Sequence, residues 1–236
     1  MVSISGLMKD TDCEDTFGLT KNQTPVTCTK AVKANGLNLQ YVKDKTCKII
    51  EEAVKQNGLA LAFVSEEDQD EELCLMAVRR NPKALMYVYD QTEEMCIEAI
   101  STVGGGWEAY VFDSVHDQSE AVCLALVKRD PDLLSCVEEQ TEEICWEAIK
   151  GDPGAIEHVE EKTEEMCMHA VNADGSLLMH ITWPSFDVCV ASLWDCEWGS
   201  EEFEERVRWS RDPKVREKVR RYVEEKRFLV TKSAKK

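Results

Sequence analysis

Residues 141–153 read TEEICWEAIKGDP, and residues 163–175, one step of 22 later, read TEEMCMHAVNADG. The two lines agree wherever a helix would need it. A Thr stands at the start, two Glu follow, and an apolar residue and a Cys come next. Ala and an aliphatic residue lie three and four places beyond the Cys, and an Asp seven places beyond it. Apolar residues at −1, 0, +3 and +4 fall on one face of an α-helix, whereas a half-buried strand would alternate by two.

The same register extends in both directions. Anchors fall at Cys28, Ile50, Cys74, Cys96, Cys123, Cys145, Cys167 and Cys189. Three places on stand Ala31, Ala53, Ala77, Ala99, Ala148, Ala170 and Ser192, with Leu126 the exception. Four places before the anchors stand Thr24, Thr46, Asp70, Thr92, Ser119, Thr141, Thr163 and Ser185. Each carries a side-chain oxygen able to accept from an unpaired N–H at a helix start. Acidic pairs in several first turns suit the helix dipole.

A second column, Asn35, Asn57, Asn81, Asp130, Asp152 and Asp174, with Val103 in the fourth copy, precedes Gly or Pro. Asn or Asp before Pro is a cap followed by a proline at the first helical position. Where Gly stands instead, the turn is expected to take a left-handed conformation. Apolar columns follow at Leu39, Leu61, Leu85, Leu134, Ile156 and Leu178, then Val42, Val64, Val88, Val137, Val159 and Ile181. Each unit therefore reads as two helices of roughly eight to eleven residues, too short to stand alone in water.

The expected fold is all-α: an α-solenoid of about eight two-helix repeats with a C-terminal capping helix. Residues 1–23 read as an irregular N-terminal cap and 24–193 as the repeats. Residues 194–236 read as a Trp-rich linker, a basic C-terminal helix starting at Asp212–Pro213, and a tail. Two residues are inserted in the acidic stretch 65–72 and five in the fourth unit, around Gly104, Gly105, Gly106 and Trp107.

Composition narrows the class further. The chain has 236 residues, 43% of them hydrophobic, enough for a core. No apolar run reaches the length of a spanning helix, and the first residues lack a secretory pattern, so a soluble intracellular protein is expected. Eleven cysteines at such regular spacing read mostly as reduced, buried small hydrophobes. Cys47, Cys136 and Cys196 lie off the column, and Cys196 is the one expected to be exposed. Equivalent cysteines one helix spacing apart, about 8–10 Å, are too far apart for a disulfide or a shared zinc.

The net charge of −18 is unevenly spread. Residues 206–236 hold thirteen Lys and Arg against four Asp and Glu, while the remainder holds fifteen against forty-two. Glu93, Glu94, Glu142, Glu143, Glu164 and Glu165 share one repeat position and are expected to line one edge, which reads either as helix-dipole complementarity with solubility or as a contact edge for a basic partner. Trp198, Trp209, Arg216, Arg220 and Arg221 are the matching candidates in the basic C-terminal segment.

No catalytic residues, metal ligands or cofactor are expected. His158 and His180 occupy the column of Tyr41, Phe63 and Tyr87, and so read as half-buried aromatic substitutes. The three glycines before Trp107 and Glu108 lack the Lys of a phosphate loop.

The pattern Cys-x-x-Ala-Val-x-x-Asn-Gly-x-x-Leu-x-Tyr-Val, joined by Gln-Thr-Glu-Glu, resembles a family of short α-helical repeats classed as a domain of unknown function. That family occurs in giant viruses, amoeba-associated bacteria and some protists. Residues 74–94 and 123–143 carry the resemblance best, within a stretch of roughly 24–190. It implies an α-helical repeat fold and no activity.

The expected function is a non-catalytic scaffold for protein–protein contacts in a larger assembly, in its most concrete form a minor structural component of a giant-virus virion. The alternative is an acidic, host-directed effector or decoy that occupies a basic partner surface. The expected partners are other proteins, with nucleic acid at most weakly held by the C-terminal tail and no membrane.

Overall fold

The computed structural model describes residues 23–194, 196–197 and 200–233, the side chains only as far as 226. The expected irregular cap at 1–23 lies outside the described residues except for Gln23, and Trp198 lies outside them altogether. Among the described residues there is no strand, and the all-α class holds.

Eight α-helices begin where the Thr, Ser and Asp column places them: α1 (Pro25–Ala34), α2 (Cys47–Gln56), α3 (Glu71–Arg80), α4 (Glu93–Thr102), then, beyond a short α5 (Glu108–Phe112), α6 (Glu120–Arg129), α7 (Glu142–Gly151), α8 (Glu164–Ala173) and α9 (Phe186–Ala191). Seven of the eight cap side chains accept a backbone N–H three residues on; Thr141 takes that of Ile144 at 3.3 Å, and Asp70 that of Leu73 at 2.8 Å. Each such cap is worth about 1 kcal/mol. Thr46 departs from the rule: its side chain makes no cap bond, and its carbonyl accepts from Ile49 N–H instead.

The second element of each unit is not the α-helix expected from the sequence. It is a six-residue 3₁₀ helix: η1 (Gly36–Tyr41), η2 (Gly58–Phe63), η4 (Pro82–Tyr87), η5 (Pro131–Cys136), η6 (Pro153–His158) and η7 (Gly175–His180). Columns spaced by three explain it, because three residues per turn put Gly36, Leu39 and Val42 on one line. One residue serves both elements. Asn35, with φ −147°, donates its N–H to Ala31 at the end of α1 and accepts Leu37 N–H on Oδ1 to start η1. The chain then runs extended at Val42, φ −75° and ψ 123°, and reaches the next cap too soon for a longer helix.

The glycines also act differently from the expectation. Among the described glycines, positive φ occurs at Gly105 (76°) and Gly106 (77°), in the inserted turn. At Gly36 and Gly58 the backbone is ordinary, but an added Cβ would lie 2.3 Å from the Ala53 carbonyl and 2.2 Å from that of Ala77. Glycine is needed there because the next unit's helix passes so close.

The chain divides into two compact units, residues 1–122 and 123–236. In the first, α1, α2, α3 and α4 pack side by side, and η1, η2 and η4 form a second row against them. Between η2 and α3 the two extra residues form a short turn, η3 (Glu66–Asp68), pinned by Ser65 Oγ–H donating to Asp68. The core is the expected stripe: Ile50, Ala53, Val54, Leu61, Ala77, Val78, Leu85, Ala99 and Ile100 are all within 2% of full burial. The fourth copy has no 3₁₀ helix; its five inserted residues lead into α5, which buries Val111 and Phe112.

In the second unit, α8 packs against α7 and α9, and η6 against η5 and η7. Two further helices follow, α10 (Glu201–Trp209) and α11 (Pro213–Ser233). The Asp212–Pro213 start of α11 agrees with the sequence, whereas α10 occupies a stretch that reads as linker. Phe203 and Val207 of α10 and Val219 of α11 join Cys189, Leu178 and Ile181 in one apolar cluster. Cys196 belongs to that cluster at 6% exposure, contrary to the expectation that it is exposed. Among the described cysteines the exposed one is Cys47, at the first turn of α2, where the stripe faces away.

Candidate functional site

Glu93, Glu94, Glu142, Glu143, Glu164 and Glu165 occupy the first two positions of α4, α7 and α8, and all are exposed. A helix start favours negative charge and leaves these side chains free to point outward. In the first unit the pair is engaged. Ser119 Oγ–H donates to Glu93 at 2.6 Å, and Arg79 lies 3.4 Å from Glu94 and 3.9 Å from Glu98.

The second unit presents a different surface. Glu142, Glu164, Glu165 and Asp187 rim an open groove of about 950 Å³ along α7, α8 and the start of α9. Half-buried Trp146 and Met168 form its floor, and exposed His169 meets Trp146 edge to face at 5.7 Å. Among the described residues no Lys or Arg lines it. The corresponding groove of the first unit, about 840 Å³ along α3, contains Lys55, Arg79 and Arg80 among its acids and so is balanced. The repeat accounts for part of the contrast: where α3 ends in Arg79–Arg80, α8 ends in Asn172–Ala173, while Lys55 has its counterpart in Lys150, which does not line the groove. Glu143 is exposed nearby but does not line the groove.

The C-terminal candidates do not join this site. Trp209 is half-buried against the apolar cluster, Arg216 is half-buried, Arg220 pairs with Glu204 at 3.2 Å, and Arg221 with Glu217 at 3.2 Å. Arg206, at the start of the basic segment, is buried at 2% exposure, donating to the Ser192 carbonyl and pairing with Glu202. It fastens α10 to α9.

The residue before each cap forms a set that the apolar pattern hides. Gln23, Gln69, Gln91 and Gln140 each reach across to the loop that ends the same unit. Gln140 Nε2–H donates to the carbonyls of Leu134 (3.2 Å) and His158 (3.0 Å), while Oε1 accepts Glu160 N–H at 3.0 Å. The thiols of Cys74, Cys96 and Cys145 donate to the Oε1 of Gln69, Gln91 and Gln140. The recurrence of Gln at −5 was the available signal. In the seventh copy Lys162 takes this place; burial lowers its pKa, and it donates to the Val159 carbonyl at 2.6 Å.

Burial pushes the Cys74 and Cys96 thiols up to about 11, and those of Cys145, Cys167 and Cys189 also upward. A nucleophilic cysteine needs the opposite shift. Among the described residues no three His, Cys, Asp or Glu side chains gather as a metal site. No helix among them is long and apolar enough to cross a membrane.

His158 and His180 are half-buried in their aromatic column, and His180 Nδ1 lies 3.6 Å from Glu157. Trp194, at the start of the stretch that reads as a Trp-rich linker, is exposed at 64%, and so is Trp183 at 72%, where the sequence singles out no aromatic. In the first unit, Lys83 Nζ sits 3.1 Å over the Trp107 ring, which meets Tyr110 edge-on at 5.5 Å.

A family model described as a domain of unknown function (DUF4116) matches residues 28–67 and 46–93, so the chain is similar to that family over its first repeats. No curated protein and no solved structure matches the chain.

Proposed function

We propose that the chain is a non-catalytic repeat scaffold that holds other proteins, with the groove of the second unit as its contact surface. The observation that carries this reading is the unbalanced groove: four carboxylates around an apolar floor of Trp146 and Met168, with no described Lys or Arg lining it. Surface acids at helix starts serve solubility in any protein. Acids flanking a large aromatic floor suit a partner that brings both positive charge and apolar side chains. The raised thiol pKa values support a structural role for the cysteines.

In its finer form the scaffold is a minor structural subunit of a larger assembly, such as a giant-virus virion. Cross-linking and pull-down from the native source tests this. Stoichiometric recovery with other structural subunits supports it. A soluble monomer that captures one basic protein, with capture fading as salt rises, favours the effector or decoy reading instead. Recovery of partners unaffected by Glu164→Lys and Glu165→Lys together would remove the groove from either account.

A further inference from the structure

We infer that the groove of the second unit receives the basic C-terminal segment, residues 226–236, of a second copy of this chain, so that copies associate head to tail. The inference rests on the groove being a contact surface and names its occupant.

Charge selects that occupant. The groove is rimmed by Glu142, Glu164, Glu165 and Asp187, and none of these forms an ion pair among the described residues. The chain has two ends beyond its repeats. The N-terminal one, residues 1–22, carries Lys9 and Lys21 against Asp10, Asp12, Glu14 and Asp15, the wrong sign for this surface. Residues 226–236 read KRFLVTKSAKK, five basic residues with no acid, around the apolar triplet Phe228, Leu229 and Val230. Positive charge meets the rim, and an apolar triplet meets the Trp146 and Met168 floor.

Helix geometry selects the second copy. α11 is docked on its own unit by Val219, buried at 1%, and by Tyr222, edge to face with Phe186 at 5.7 Å. From there the helix runs on to Ser233, and no described side chain of it lines the groove. A helix without a break from Pro213 to Ser233, rising about 1.5 Å per residue, cannot double back on itself. The groove of its own copy therefore has no described contact with this helix, which leaves the segment to a second copy. A groove on one copy and a segment on another make a heterologous contact, which propagates into rings or filaments.

Sedimentation of the full chain across concentration and salt tests this with two charge-reversed variants. The first carries Glu164→Lys and Glu165→Lys, the second Lys232→Glu, Lys235→Glu and Lys236→Glu. The wild type is expected to form larger species at low salt that dissociate as salt rises. Each variant alone is expected to be monomeric with an unchanged helical circular dichroism signal. Their equimolar mixture is expected to associate again, because the first supplies a basic segment and the second an acidic groove. A monomeric wild type at low salt, a groove variant that associates like wild type, or a mixture that stays monomeric overturns the inference. If the wild type is monomeric yet a source-derived basic partner is lost from the groove variant, only the self-association fails. If no partner depends on the groove either, the scaffold reading fails with it.

Discussion

Gln140 and His158 stand 18 residues apart, yet the amide of Gln140 donates to the His158 carbonyl at 3.0 Å and so ties the start of a repeat to the loop that ends it. The same side chain satisfies Glu160 N–H and the Leu134 carbonyl. Gln140→Ala would leave these groups without their partner in a half-buried place. It is expected to destabilise by about 1–3 kcal/mol. Urea unfolding followed by circular dichroism checks this, and an unchanged midpoint would show that water replaces the amide at no cost.

Lys162 gives the reverse experiment. A lysine has three donors and no acceptor, so it can take the carbonyl side of the clamp but not the N–H side. Lys162→Gln is expected to restore both and to stabilise by about 0.5–1.5 kcal/mol. A lower thermal midpoint would show that the seventh copy has adapted its loop to lysine.

Gly58 is held by proximity alone. Gly58→Ala forces a Cβ to within 2.2 Å of the Ala77 carbonyl, and the resulting shift is expected to cost about 1–3 kcal/mol. Gly104→Ala, with nothing within 4 Å and no positive φ, is the control and should stay within about 0.5 kcal/mol of wild type. Equal losses at the two positions would refute the close-approach account.

Ala148 is fully buried in the α7 stripe. Ala148→Glu places a carboxylate there with no partner and is expected to unfold its repeat neighbours. Retained helicity with an unchanged melting point would contradict the stacking described above.

The thiols set a pH limit. For Cys74 and Cys96 the folded pKa lies at about 11 against an ordinary 9.0. Below pH 9 both folded and unfolded thiols are protonated and the contribution is intact. As pH rises from about 9 to 11, the unfolded state loses protons first and stability falls. Replacing both residues by Ala should flatten that part of the stability curve. In the native protein, iodoacetamide is expected to label Cys47 well before Cys74 or Cys96, and mass mapping of the labelled sites reads the order.

Much of the first helix in each unit was legible from the chain. A capping oxygen at −4 and apolar residues at −1, 0, +3 and +4 leave one helical reading, and α1 to α4 and α6 to α9 start where those residues say. The second helix was misread because Leu39 and Val42 suit either a helical face or three residues per turn. Only the short reach to Thr46, and the closing bond from Val42 N–H to the Leu39 carbonyl, resolve the ambiguity. Cys196 was misjudged for a related reason: α10 lacks the repeat signature, so nothing local announced the cluster that covers it.

The candidate surface divides the same way. Periodicity placed Glu142, Glu143, Glu164 and Glu165 on helix starts, because an acid's preference for a first turn is a local effect. Which of those acids remain unbalanced is not local. It depends on whether the residue on a neighbouring turn is Arg79 or Asn172, and on which side chains the packing leaves to form a floor. Helix initiation is decided within a few residues of chain. Grooves, clamps and uncompensated charge arise from residues about one repeat apart, and those meet only when one repeat lies against the next.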